Sequence, residues 1–92
     1  MKKEEVEIYS DASNVAVMRH PGRACPGSLI QGDSLFMLSQ LAKEALEELA
    51  DGRKESAEES LEELVELLDG RLTHYETVLK EHGIELPYAR NT

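Results

Sequence analysis

Leu61, Val65, Leu68, Leu72, Tyr75 and Leu79 stand 4, 3, 4, 3 and 4 residues apart. At 3.6 residues per turn that spacing holds all six along one side of a helix, and it is the seam of a helix packed lengthwise against another. Ser56 with Glu59 three residues on forms a capping box at its start. His82-Gly83 closes it, with Ile84 placed for a Schellman contact. The phase survives Gly70, so one helix from about residue 56 to 82 is predicted despite the roughly 1 kcal/mol that an interior glycine costs.

A shorter helix precedes it. Apolar residues at 35, 38, 42, 45 and 49 step by three and four up to Asp51-Gly52, and Asp33 or Ser34 can cap the start by accepting from free N–H groups. At 1.5 Å per residue the two helices span roughly 27 and 40 Å. An antiparallel hairpin therefore leaves the turns around Leu72, Tyr75 and Leu79 overhanging. Either a small sheet folds over that end or a second subunit covers the seam, which makes a homodimer through Leu61, Val65, Leu68, Leu72, Tyr75 and Leu79 one expectation.

The N-terminal third reads as strand. Residues 5–10 alternate, with Val6 and Ile8 on one face and Glu7 and Tyr9 on the other, as a half-buried strand does, and residues 15–19 do likewise. The cluster Asp11-Ala12-Ser13-Asn14 supplies the turn of a hairpin. Two Pro-Gly pairs, Pro21-Gly22 and Pro26-Gly27, predict type II turns with glycine at φ > 0. A short third strand is placed at Leu29-Ile30-Gln31.

The expected fold is α+β, a β-hairpin or small three-stranded antiparallel sheet packed on a C-terminal antiparallel helix pair. A chain of 92 residues buries only about 60–65% of its unfolded surface and supports one core. A single domain over 1–92 follows, with sheet and loop in 1–32, the helical hairpin in 33–83 and a tail in 84–92. With 40% apolar residues but four aromatics, the core is aliphatic, supplied by thirteen leucines. One cysteine forms no internal disulfide, the opening residues carry no apolar stretch of signal-peptide length, and no apolar run is long enough to cross a bilayer. A reducing cytoplasm is the expected compartment.

Several residues carry candidate chemistry. Gly32-Asp33-Ser34-Leu35 spells the signature of a hydrolase family with a nucleophilic serine at a strand-to-helix turn. That chemistry needs a histidine activated by an acid, whereas Asp69 and His74 lie five apart on one helix, on different faces. A helix cap is the simpler role. Arg19, His20 and Arg23 could join the free N–H groups near Ser34 to hold an anion, against the alternative that Arg23 pairs with Asp33 or a helix carboxylate. Neighbouring basic residues could lower the pKa of Cys25, although a cysteine beside proline is more often a small apolar filler. His74 and His82 share a helix face eight residues apart, but Val78 between them binds no metal, so His82 is assigned to the helix C-terminus and His74 to solvent. No metal or other cofactor is expected.

Charge placement is the strongest nonrandom feature. Residues 43–69 hold eleven acids against three bases, which accounts for nearly all of the net charge of -9. Glu55, Glu59, Glu62, Glu66 and Asp69 keep a 4, 3, 4, 3 spacing, a stripe about 100° around from the leucine seam. Like charges four apart each cost a few tenths of a kcal/mol, and no lysine is interleaved to offset them. The plain reading is a solvated face. The sharper one is a docking face for a basic protein, with carboxylates imitating a phosphate backbone. Nucleic acid and anionic membranes need basic surface and are not expected partners.

Pro21-Gly22-Arg23, Pro26-Gly27, the run from Leu29 to Leu35, Tyr75, His82-Gly83-Ile84 and Pro87-Tyr88 together resemble a family of small bacterial proteins of about this length with no assigned function. The resemblance implies a free-standing bacterial domain and lends no catalytic residue. A bulky aromatic commonly stands in that family where this chain has Cys25, which weakens a role for the thiol. The leading expectation is a non-enzymatic, acidic protein-binding domain, in its most concrete form an immunity protein for a basic bacterial nuclease toxin, with contacts from Glu55, Glu59, Glu62, Glu66 and Asp69. The alternatives are a small anion-binding or hydrolytic site in the loop of residues 19–34, using Arg19, Arg23, Cys25, Asp33 and Ser34, and a structural homodimer.

Overall fold

The computed structural model describes residues 1–12 and 15–90. Three short strands, β1 (Glu7–Ser10), β2 (Val17–Arg19) and β3 (Gly27–Ser28), form an antiparallel sheet in the order β1-β2-β3. Two helices follow, α1 (Gly32–Ala50) and α2 (Lys54–Glu81). The architecture is the expected α+β fold. Its residues pack as two compact units, Met1–Ile30 with Arg71–Thr92 and Gln31–Gly70, so α2 contributes its first part to one and its last part to the other.

In the helical unit α1 and α2 form a hairpin. Leu38 and Ala45 of α1 and Ala57 of α2 are buried, and the Ser60 hydroxyl donates to Glu48 Oε1 at 2.7 Å. The link is a Schellman turn: Gly52 takes φ 75°, its N–H bonds Leu49 O, and Arg53 N–H bonds Glu48 O at 2.8 Å. α2 is helical through Gly70. Both expected N-caps differ from the structure. The N-cap of α1 is Gln31 without a side-chain bond, and Asp33 sits in the first turn, where its Oδ1 accepts from Ser34 N–H. Ser56 lies inside α2, because the helix begins directly after the Gly52 turn, with Ala57 N–H already bonded to Arg53 O.

In the sheet unit the core is Val17, Tyr75, Val78 and Leu79, with Tyr9, Ile84 and Leu86 packed around it. Val17 and Leu79 are 0% exposed, and truncating such a leucine costs about 2–5 kcal/mol. The sheet covers the turns of α2 around Tyr75 and Leu79. The second Schellman turn is where expected: Gly83 takes φ 66°, Ile84 N–H bonds Leu79 O at 2.9 Å, and the Ile84 side chain joins the core.

The face of β1 turned to that core is the opposite of the expected one. Ile8 pairs with Met18 and Ser10 with Val17, which leaves Tyr9 as an extra residue in β1. At this bulge the ladder is interrupted. His82 Nε2 bonds the Tyr9 carbonyl oxygen at 3.1 Å, and the two rings meet edge-on at 5.1 Å. Tyr9 thus turns inward, while Val6 and Ile8 remain exposed. His74, expected in solvent, is half-buried with Nε2 3.2 Å from Ser10 Oγ.

The Pro-Gly segments also differ from expectation. Neither glycine has positive φ. Arg23 N–H bonds His20 O at 2.9 Å across Pro21-Gly22, but the His20 ring accepts from Gly22 N–H at 3.1 Å and stabilises an ordinary negative-φ turn. Gly27 opens β3, two residues before the strand placed at Leu29, because the ladder starts as soon as Pro26 has passed; Leu29 N–H extends it to Ala16 O. Of the expected hairpin turn, Ser13 and Asn14 lie outside the described residues, and Val15 N–H closes onto Ala12 O.

Candidate functional site

The helical unit carries more apolar surface than its hairpin buries. Each helix turns one side to the other and keeps an apolar flank in water. On α1 that flank is Leu35, Leu46 and Leu49, and on α2 it is Leu61, Val65 and Leu68. Leu46 is 69% exposed and Val65 54%. Leu46 and Leu49 of the one flank and Leu61 of the other share a groove of about 320 Å³ with Ala42, Ala45 and Ala57. Lys54 and Glu58 edge it and face each other at 3.8 Å.

Beside this groove Glu55, Glu59, Glu62, Glu66 and Asp69 are all exposed along α2. The unbroken helix keeps the five in one stripe. No base among the described residues forms an ion pair with any of them. Of the six seam residues, only Leu61, Val65 and Leu68 are exposed; Leu72 is half-buried, and Tyr75 and Leu79 are spent inside the sheet unit. The heptad spacing thus serves two different surfaces in succession. Sequence periodicity located the apolar stripe of α2 and, on α1, Leu35, Ala42, Ala45 and Leu49, but not Leu46, nor that the two helices enclose a groove.

A second concavity lies in the sheet unit. The outer face of the sheet, with Val6, Met18 and Leu29, joins Ala24 and Gly27 to line a cavity of about 620 Å³ edged by His20, Arg23 and Cys25. Cys25 is an exposed free thiol. Behind it, burial pushes the Tyr75 phenol above its ordinary pKa and Cys25 adds to the shift, while Tyr75 donates to Pro26 O at 2.6 Å.

The residues of the expected loop site divide between the two units. Arg19 pairs with Glu7 and donates to Arg23 O at 3.0 Å, so its guanidinium is occupied. Arg23 does line the cavity and pairs with no carboxylate among the described residues, neither Asp33 nor a helix acid. Ser34 belongs to the helical unit, at the start of α1. The serine–histidine contact the sequence did not suggest, Ser10 with His74, lies outside both cavities and fastens β1 to α2.

Among the described residues, no three of His, Cys, Asp and Glu gather as a metal-holding group, and no helix is long and apolar enough to cross a membrane. No curated protein and no solved structure matches the chain. A family model matches residues 1–88 of its 92, and the chain therefore belongs to the family of unknown function DUF6959.

Proposed function

We propose that this protein is a non-enzymatic binding domain whose helical hairpin docks a basic protein partner. The observation that carries this reading is the open groove between α1 and α2 beside an acidic stripe whose five carboxylates form no ion pair among the described residues. Contiguous apolar surface left in water on a small domain marks an interaction site. A groove between two helices accepts the apolar face of a third, and lysine or arginine flanking that face would meet Glu58 and Glu62. At a net charge of -9, a second copy of the chain is repelled and a cationic protein attracted, so a basic partner is favoured over a homodimer. Closure of the α2 seam around Tyr75 and Leu79 by the chain's own sheet removes the overhang that called for a second subunit.

In its most concrete form the domain is an immunity-type inhibitor, its carboxylates standing where a toxin nuclease would bind a phosphate backbone. An exposed free thiol at Cys25 suits a reducing cytoplasm. The test is capture from the native host with wild type and with the triple variant Glu59→Lys, Glu62→Lys, Glu66→Lys. The reading expects the main captured protein to be basic and to be lost from the variant. Unchanged capture would reduce the stripe to a solubilising face.

A further inference from the structure

We infer that the outer face of the sheet is a binding site for a small amphiphilic anion, an apolar chain or ring carrying a carboxylate or similar head group. This site is separate from the helical groove and does not rest on the reading of that groove.

The apolar floor comes first. The sheet spends Val17 and Tyr9 on the core, and the Tyr9 bulge sends Val6 and Ile8 to the other side with Met18. A three-stranded sheet with one face on a helix normally turns polar residues to water on the other. Here Val6, Ile8 and Leu29 are exposed instead, and with Met18 three of these four line the cavity of about 620 Å³. That volume is in the range of small-molecule pockets, which are mostly apolar with a few fixed polar groups.

The rim comes second, and its polar side chains donate. His20 Nδ1 accepts from Gly22 N–H at 3.1 Å, so in the neutral ring the proton sits on Nε2, a donor. Arg23 offers a guanidinium that pairs with no acid among the described residues, although 19 acids are available and Arg19, Arg53 and Arg90 each have a carboxylate. Cys25 adds a weak S–H donor. Three neighbouring donors around an apolar floor fit an anionic head on an apolar body.

The rim is also held in place. Its turn is closed by Arg23 N–H on His20 O, tied by Arg19 Nη1 on Arg23 O at 3.0 Å, and pinned beyond Cys25 by Tyr75 on Pro26 O. Such preorganisation lowers the ordering cost of binding. The source of the head group is a free small molecule rather than a bilayer, because the net charge of -9 opposes approach to an anionic membrane while a single small anion meets only the local cation.

The experiment titrates the full chain with decanoate below its micelle threshold, with decanol, with inorganic phosphate and with phosphatidylglycerol vesicles, followed by calorimetry and NMR. Decanoate should bind at least tenfold more tightly than decanol and phosphate, perturbing Val6, Met18 and Leu29. Arg23→Gln, whose lost side chain makes no bond among the described residues, should bring decanoate to the level of decanol, and Leu29→Gln should weaken both alike. Equal binding of decanoate and decanol by wild type, perturbations confined to other residues, or a response only to phosphatidylglycerol vesicles would each overturn the proposal.

Discussion

The Tyr75 hydroxyl donates a 2.6 Å hydrogen bond to the carbonyl oxygen of Pro26, 49 residues earlier in the chain. Both residues are buried, and proline has no N–H of its own to bring into the ladder, so this bond sets where β3 begins and where the Cys25 rim stands. Tyr75→Phe leaves the Pro26 carbonyl buried without that donor. It should cost about 1–3 kcal/mol, read as a lower urea midpoint at unchanged m-value. An unchanged midpoint would show that water or a shifted loop replaces the phenol.

Two glycines of α2 and its end should respond with opposite sign. Gly83 takes φ 66° at the C-terminal turn, where a side chain costs about 1–2 kcal/mol. Gly70 lies inside the helix with open space where a Cβ would stand, so Gly70→Ala should stabilise by about 0.5–1 kcal/mol. Thermal melts of Gly83→Ala and Gly70→Ala check both signs, and a Gly70→Ala that destabilises would contradict a continuous α2.

The tail is fastened by Tyr88 and Arg90, each 2.8 Å from a carboxylate oxygen of Glu76. Burial, then the bond to Glu76, pushes the Tyr88 phenol up to about 12. A raised tyrosine pKa means that the fold favours the protonated form. That contribution is complete below pH 10 and is lost as pH climbs from 10 towards 12. The Tyr88 bond first, and Arg90 second, hold the Glu76 carboxyl below the ordinary carboxylate range. Its contribution is present above about pH 4.5 and is lost as pH falls through the lowered folded value. Tyr88→Phe should flatten the alkaline part of the stability profile, and an unaltered profile between pH 10 and 12 would count against the contact.

Much of this fold was legible in spacing. The 4-3 run of α2 and the glycines at 52 and 83 placed two helices and their ends, because helical periodicity and positive-φ turns are local properties. What escaped were choices made by tertiary contact. Alternation of Val6, Glu7, Ile8 and Tyr9 does not say which face is buried, and His82 decided it by holding the Tyr9 carbonyl at the bulge. Pro21-Gly22 reads as a type II turn until the His20 ring accepts Gly22 N–H. The acidic stripe was readable in full because its residues share one helix. The groove beside it was not, since it needs two helices placed side by side, and the sheet cavity gathers Val6 from before β1 with residues of β2, β3 and the loop between them.

The most direct measurement for the helical groove is a calorimetric titration with a synthetic amphipathic helix, leucine on one face and lysine on its flanks. Wild type should bind it at micromolar concentration. The variant Leu46→Asp, Leu61→Asp, which is more acidic yet has lost the apolar floor, should bind at least tenfold more weakly while circular dichroism stays unchanged. Equal or tighter binding by that variant would mean that bulk charge alone attracts the peptide, and would contradict a docking groove between α1 and α2.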